Sequence, residues 1–156
     1  MTEHPGQHLL ASFDAPASMQ SWEQLNDFIE QHATDILGAN SSTYKVRLAC
    51  EELISNIIQY SKQVASKQDG EVHIWLRVYA IKRPKEGLCI EIEDNGIQFD
   101  PRFDDLQDVG TETPVAERQI GGLGLYIARQ SVDQIAYQWR KNKNIYKIFK
   151  AKKTQP

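Results

Sequence analysis

The chain has 156 residues, of which 40% are apolar and 25% charged, as expected for a globular protein with one core. A formal net charge of −3 gives no electrostatic reason to bind nucleic acid or an anionic membrane. No stretch approaches the roughly 20 apolar residues of a membrane span, and we expect no signal peptide. Cys50 and Cys89 form no Cys-x-x-Cys or zinc pattern. These properties predict a cytoplasmic protein with one domain over residues 1–156 and a core over about 9–150.

The first third of the sequence predicts a strand and two helices. Residues 9–13 are apolar and predict a short edge strand. Pro16 suits the first turn of a helix that we expect to run to about His32. The cluster Asn40-Ser41-Ser42 is typical of a helix N-cap, so a second helix is expected over about 43–61.

The rest of the chain predicts four strands, one helix and a long loop. Alternation of apolar and polar residues predicts strands over 71–81 and 88–94, and little periodicity over 95–120 predicts an irregular loop. A glycine-rich segment then opens a helix over about 121–133. The segments QIAYQWR and IYKIFKAK predict two strands joined by a tight turn, KNKN, over 141–144. This order favours an α+β fold of two layers, a mixed but mostly antiparallel sheet with helices on one face.

The second predicted helix places two polar residues beside an apolar arc. Glu52 and Asn56 are four residues apart, so they lie on one edge of that arc, and Tyr60 continues the same row. The arc consists of seven residues at helical spacing, namely Val46, Ala49, Cys50, Leu53, Ile54, Ile57 and Ile58. Glu52 and Asn56 are either a solvated flank or part of a site.

Two further segments carry residue types found in nucleotide sites. Asp94 ends a predicted strand and Gly96 follows it, which is either a plain turn or a buried acceptor with close backbone approach. Gly121, Gly122 and Gly124 precede and begin a helix, where free N–H groups suit phosphate. The second segment lacks the Gly-Lys-Ser/Thr of a Walker loop and is not a dinucleotide fingerprint.

Taken in order, the three segments RLACEELISNIIQYS, DNGIQFDP and GGLGLYIARQSVDQIAYQW resemble the motifs of the GHKL ATPase superfamily, which has the Bergerat fold. The sequence is most similar to the anti-sigma factor serine kinases within it. The resemblance covers about residues 9–150.

The resemblance implies roles for individual residues. Glu52 matches the general base, and Asn56 matches the asparagine that binds Mg²⁺ and, through it, ATP. Asp94 matches the acceptor of the adenine amino group, and Gly96 matches the glycine that packs against the base. The second glycine box, implied to hold the phosphates, comprises Gly121, Gly122, Leu123, Gly124 and Leu125.

The loop over about 96–120 is implied to be the ATP lid. Arg118 lies in it, either to neutralise γ-phosphate charge or as a solvated residue. Many family members have histidine where this chain has Tyr60. The resemblance therefore does not define the detailed architecture of the metal-binding side of the site.

The resemblance implies a protein serine/threonine kinase that uses ATP and Mg²⁺, phosphorylates an anti-anti-sigma protein of the STAS fold and sequesters a sigma factor. No direct nucleic acid or membrane partner is implied, and relatives of this kind are often homodimers. One alternative is a non-catalytic ATP-binding module that switches protein partners. Another, a GHKL ATPase that drives clamp closure, requires a transducer domain, which we do not expect here.

Overall fold

The computed structural model describes residues 6–64, 71–103 and 122–153, except for the side chains of residues 63, 64, 122 and 123. A single 3₁₀ turn, Met19–Ser21, precedes the first α-helix. The elements in chain order are β1 (Gln7–Pro16), α1 (Trp22–Leu37), α2 (Ser41–Val64), β2 (His73–Ile81), β3 (Gly87–Asp94), α3 (Gly122–Ser131), β4 (Gln134–Arg140) and β5 (Lys143–Ala151).

The five strands form one sheet in the order β1-β2-β3-β5-β4. Each neighbouring pair is antiparallel, so the described sheet is antiparallel throughout rather than mixed. Strand β5 lies between β3 and β4, which brings the C-terminal hairpin beside the end of β3. The predicted α+β class with a sheet and helices is confirmed.

The core lies between one face of the sheet and the helices. Ile74, Leu76 and Val78 alternate along β2 and have no exposed surface, while their odd-numbered neighbours lie on the other face. The predicted apolar arc of α2 is buried in the same cluster, with at most 6% of any member exposed. Each such aliphatic side chain contributes roughly 1.5–3 kcal/mol through burial, so this face fixes how α2 lies on the sheet.

The prediction that Pro16 begins a helix is wrong. Pro16 is the last residue of β1, where it pairs with His73 of β2. β1 is an edge strand of the sheet, and an edge strand tolerates a residue without an N–H. Helix α1 therefore begins six residues later, at Trp22.

Helix α1 also ends later than the predicted position near His32. It continues to Leu37 because Ala33 and Leu37 are buried in the core. Gly38 then takes a positive φ of 89° and donates its N–H to the carbonyl of Thr34 at 2.8 Å. Glycine adopts such a positive φ without the steric cost that a Cβ atom brings, and it commonly follows the last residue of a helix.

The C-terminal hairpin turns in two residues rather than four. Lys141 and Asn142 have φ values of 53° and 61°, the left-handed pair that a tight hairpin turn requires. Lys143 and Asn144, predicted to lie in the turn, are therefore the first residues of β5. This correction matters for the site, because Asn144 becomes a buried strand residue.

Among the helices of the described part of the chain, none combines the length and the apolar character needed to cross a membrane.

Candidate functional site

A pocket lies between the C-terminal end of β3, the second half of α2 and the beginning of α3. Its empty volume is about 440 Å³, including the part open to solvent. Most of the lining is apolar, with a few polar groups that converge on it, which is typical of a site for a small organic ligand. The lining residues are Leu53, Asn56, Ile57, Tyr60, Ser61, Val72, Asp94, Gly96, Ile97, Phe99, Pro101, Leu125, Asn144 and Tyr146.

Helix α2 forms one wall of the pocket with the row of residues at the edge of its apolar arc. Asn56 and Tyr60 line the pocket. The amide nitrogen Nδ2 of Asn56 is buried and has no hydrogen-bond partner among the described residues. A buried amide group without a protein partner favours a site that a ligand completes.

Glu52 lies beside the pocket, against the first turn of α3. A Cβ atom added to Gly124 would overlap the Glu52 Oε2 atom, so glycine leaves the carboxylate room in its present position. Glu51, the next residue, forms an ion pair with Arg47 of the same helix at 2.9 Å. Of the two glutamates, it is Glu52 that reaches the α3 end of the pocket.

Asp94 lines the pocket from the end of β3 and is 3% exposed. Its Oδ1 accepts hydrogen bonds from the backbone N–H of Gly96 at 2.9 Å and from Asn144 Nδ2 at 3.0 Å. Burial raises the pKa of the Asp94 carboxyl above its usual range, and these two hydrogen bonds partly oppose that effect. Asp94 is thus a buried hydrogen-bond acceptor that faces a pocket.

Gly96 allows the backbone after β3 to fold close to Asp94. A Cβ atom at Gly96 would lie 3.1 Å from the Asp94 Oδ1 atom and 3.6 Å from Val72 Cγ1. The turn that contains Gly96 therefore leaves little room for a side chain there, and it leads directly into the lining residues Ile97 and Phe99.

Aromatic side chains close the pocket near the solvent and at its floor. The rings of Tyr60 and Phe99 lie with centroids 4.5 Å apart at the open side. At the floor, the hydroxyl of Tyr146 donates to the carbonyl of Phe99 at 3.3 Å, and burial raises the pKa of this phenol. The rings of Tyr60, Phe99 and Tyr146 give the pocket flat apolar surfaces of the kind that a purine base contacts.

A model of the "Histidine kinase-like ATPase domain" family matches residues 15–149, which is most of the chain. The chain belongs to the histidine kinase-like ATPase family. Among curated proteins, it is 30% identical over 95 residues to "Serine-protein kinase RsbW" of Bacillus pumilus (strain SAFR-032). That match covers 60% of this chain and 56% of the relative, so the chain spans a little over half the length of the curated relative it matches.

The family assignment confirms the predicted superfamily, and a serine-protein kinase among the relatives agrees with the predicted branch. A histidine kinase-like ATPase domain implies ATP as the ligand. The site agrees with this ligand: a mostly apolar pocket is lined by Asp94 of β3 and by Leu125 at the start of α3.

The residues present fit Mg²⁺ only as a partner of phosphate. Within the described residues, no group of three or more His, Cys, Asp or Glu is arranged to hold a metal ion. Asn56 would supply one amide oxygen, a suitable hard ligand, from the same helical row as Glu52. Phosphate oxygens and water would complete the coordination, which is how Mg²⁺ is usually held next to a nucleotide.

The structure brings together the predicted site residues that it describes, and their roles remain predictions. Asn56, Asp94, Gly96 and Leu125 line one pocket, and Glu52 meets Gly124 beside it. Gly122 and Leu123 are described only as the first backbone positions of α3. Arg118, Gly121 and the predicted lid beyond residue 103 lie outside the described residues.

Sequence reasoning assigned no site role to Asn144, Phe99 or Tyr146, which line the pocket. Asn144 was assigned to a turn, Phe99 lies in the segment DNGIQFDP without a role of its own, and Tyr146 was predicted only as a strand residue. The register of β5 against β3 determines two of these positions, since Asn144 pairs with Asp94 and Tyr146 pairs with Ile92. Alternation along β5, counted from Ile148, would have placed Asn144 and Tyr146 on the buried face.

Proposed function

We propose that the protein is a protein serine/threonine kinase of the anti-sigma type, which transfers the γ-phosphate of ATP to an anti-anti-sigma partner of the STAS fold. The observation that supports this most is the convergence of three elements on one pocket. Asp94 comes from β3, Asn56 comes from α2, and Glu52 lies against the start of α3.

In this proposal, adenine lies in the apolar pocket and Asp94 accepts a hydrogen bond from its 6-amino group. The phosphates extend towards the start of α3, where backbone N–H groups and the helix dipole favour negative charge. Asn56 would hold Mg²⁺, which neutralises phosphate charge when bound. Positioning and charge neutralisation are the main sources of rate in such a transfer.

Glu52 is the proposed general base for the hydroxyl of the substrate serine or threonine. Its carboxylate can accept the proton if the hydroxyl lies within hydrogen-bond reach at the α3 end of the pocket. Sequestration of a sigma factor, assembly as a homodimer and a cytoplasmic location are part of the same proposal and rest on the family resemblance.

The first experiment is calorimetric titration with ATP, with and without Mg²⁺, of the purified protein and two variants. We expect Asp94→Asn to abolish ATP binding, because the amide presents a donor towards the donor of the 6-amino group. Asn56→Ala should remove only the increase in affinity that Mg²⁺ gives. A wild-type protein that binds no ATP would overturn the proposal.

The second experiment is transfer from [γ-³²P]ATP to a panel of purified STAS-fold proteins. Glu52→Gln should keep ATP affinity but slow the transfer about 10²–10⁴-fold, the usual contribution of a general base. Glu51→Gln is the matched control, since Glu51 pairs with Arg47 and should leave the rate unchanged. ATP binding without transfer to any STAS protein would instead favour the non-catalytic module that switches partners.

A further inference from the structure

Asn144 is the centre of a hydrogen-bond network around Asp94, at what we call the base end of the pocket because the proposed function places the base of ATP there. It is 1% exposed and lies directly opposite Asp94 in the β3–β5 pairing. Its Nδ2 donates to Asp94 Oδ1 at 3.0 Å and to the carbonyl of Ile97 at 2.9 Å. Its Oδ1 accepts from the backbone N–H of Phe99 at 2.9 Å and from the hydroxyl of Tyr137 at 2.6 Å.

These four bonds use the whole capacity of the Asn144 amide. A primary amide has two N–H hydrogens and one oxygen with two lone pairs, and each is occupied. Rotation of the amide by half a turn would bring a donor against Phe99 N–H and an acceptor against the Ile97 carbonyl. The network therefore fixes the orientation of Asn144 and leaves it no hydrogen bond for a ligand.

The same network fixes which atom of Asp94 faces the pocket. Oδ1 accepts from Asn144 and from the N–H of Gly96, whereas no donor to Oδ2 is present among the described residues. Both donors near the carboxylate, Asn144 Nδ2 and Gly96 N–H, are thus directed at Asp94 itself. The base end of the pocket offers a ligand an acceptor but neither of these donors.

We propose that Asn144 is a positioning residue that sets base specificity, because it keeps Asp94 Oδ2 as a pure acceptor and contributes no donor of its own. This inference rests on the proposed function, in which the pocket holds the base of ATP. An acceptor pairs with the 6-amino group of adenine and leaves the 6-oxo group of hypoxanthine unpaired. The discrimination between adenine and hypoxanthine thus depends on the Asn144 amide as well as on Asp94.

The test compares the affinities of the purified protein for ATP and ITP by calorimetry. The wild type should prefer ATP by about tenfold or more, as expected when a buried acceptor loses its donor. Asn144→Asp keeps the oxygen that accepts from Phe99 and Tyr137 but replaces the donating nitrogen with oxygen. Asp94 Oδ1 then loses its Asn144 donor and faces a second carboxylate, so one of the two retains a proton and Asp94 is no longer held as a pure acceptor. The ratio of ATP to ITP affinity should then fall at least about tenfold.

Asn95→Asp is the matched control. It adds the same charge next to Asp94 in the sequence, but Asn95 is exposed, and its Oδ1 accepts from the N–H of His73. The ratio of ATP to ITP affinity in Asn95→Asp should equal that of the wild type. If Asn144→Asp proves too unstable to purify, Asn144→Ser replaces it and adds no charge. A hydroxyl cannot make all four hydrogen bonds of the amide, so the ratio of ATP to ITP affinity should again fall.

The outcomes separate this inference from the proposed function. A merely structural role would weaken ATP and ITP equally, so an unchanged ratio in folded Asn144 variants would overturn the inference alone. A wild type that binds both nucleotides equally would also overturn it and leave the proposed function standing. A wild type that binds neither would overturn both.

Discussion

At the scale of single residues, Asp94 has a carboxylate that accepts two hydrogen bonds and yet is almost fully buried.

 

Burial raises the pKa of this carboxyl, so the charged form costs folding free energy at neutral pH. The site therefore keeps a charge that the fold alone would not favour.

The substitution Asp94→Asn should stabilise the protein without ligand while it abolishes ATP binding. We expect an increase of about 1 kcal/mol in the free energy of unfolding at pH 7, or roughly 2–4 °C in Tm. The gain should shrink as the pH falls through the raised pKa, because wild-type Asp94 is then protonated and its burial no longer costs charge desolvation. Thermal unfolding followed by circular dichroism between pH 4 and 8 measures this.

Asp100→Asn is the control for that experiment, since Asp100 is an exposed carboxylate a few residues further along the chain. It should change neither Tm nor ATP affinity to a comparable extent. A lower Tm for Asp94→Asn than for the wild type at pH 7 would contradict the argument from burial.

Gly124 is the second residue at which a small change should separate stability from function. Gly124→Ala places a Cβ atom on the Glu52 carboxylate, which lies at the end of a flexible side chain and can rotate away. Alanine also favours a helix over glycine by up to about 1 kcal/mol. We therefore expect unchanged or higher Tm, ATP affinity within about threefold of the wild type, and phosphate transfer slowed roughly 10–100-fold.

The double variant Glu52→Gln/Gly124→Ala tests whether the loss acts through Glu52. If Gly124→Ala works by moving the carboxylate, the double variant should transfer phosphate as slowly as Glu52→Gln alone. Independent, multiplicative losses in the single variants would instead show that Gly124 acts on the phosphates directly.

At the scale of elements, Asn40 connects the end of α1 to the beginning of α2. Its Nδ2 donates to the carbonyl of Leu37 at 2.8 Å, and its Oδ1 accepts from the N–H groups of Ser42 at 2.9 Å and Thr43 at 3.4 Å. One side chain thus satisfies the last turn of one helix and the first turn of the next. The cap determines where the helix that carries Glu52 and Asn56 begins.

Asn40→Ala should lower the free energy of unfolding by about 1–2 kcal/mol, because it removes the cap and leaves backbone groups without partners. Urea unfolding followed by tryptophan fluorescence measures the change. Gln59→Ala, at an exposed position within α2, is the control and should stay within about 0.5 kcal/mol of the wild type. Equal stability of the two variants would contradict the role assigned to the cap.

The elements were predictable where one local pattern decides the structure. The apolar arc of α2 and its Asn40 cap identify that helix, since burial every three to four residues has no other simple explanation. The start of α1 was not predictable in the same way. Pro16 is compatible with either a first helical turn or an edge strand, and only its pairing with His73 in the sheet decides between them.

The candidate site was predictable to the extent that its residues belong to short motifs. Asn56, Asp94 and Gly96 were predicted to be near one another and line one pocket. Asn144 was not found, because its place depends on a turn of two residues at Lys141 and Asn142 and on the register that follows. A shift of one residue in that register would turn Asn144 to the opposite face of the sheet.

At the scale of the whole molecule, the pocket lies where helices α2 and α3 meet one end of the sheet. Its lining comes mostly from α2, the end of β3 and the segment after it, α3 and β5, which are distant in the sequence. A ligand bound there would contact each of them at once. Binding should therefore stabilise the protein against global unfolding rather than only against the fraying of one element.

ATP should accordingly raise the Tm of the protein in a concentration-dependent way. At about 100 times Kd, a ligand specific for the folded state adds about 2.7 kcal/mol, which corresponds to roughly 5–10 °C for a chain of this size. Scanning fluorimetry against ATP concentration, with and without Mg²⁺, measures the shift. Asp94→Asn should show no shift, although its Tm without ligand should be higher than that of the wild type. A shift of the same size in Asp94→Asn would show that ATP binds elsewhere, since this substitution changes the base end of the pocket and leaves the remaining surface of the molecule as it is.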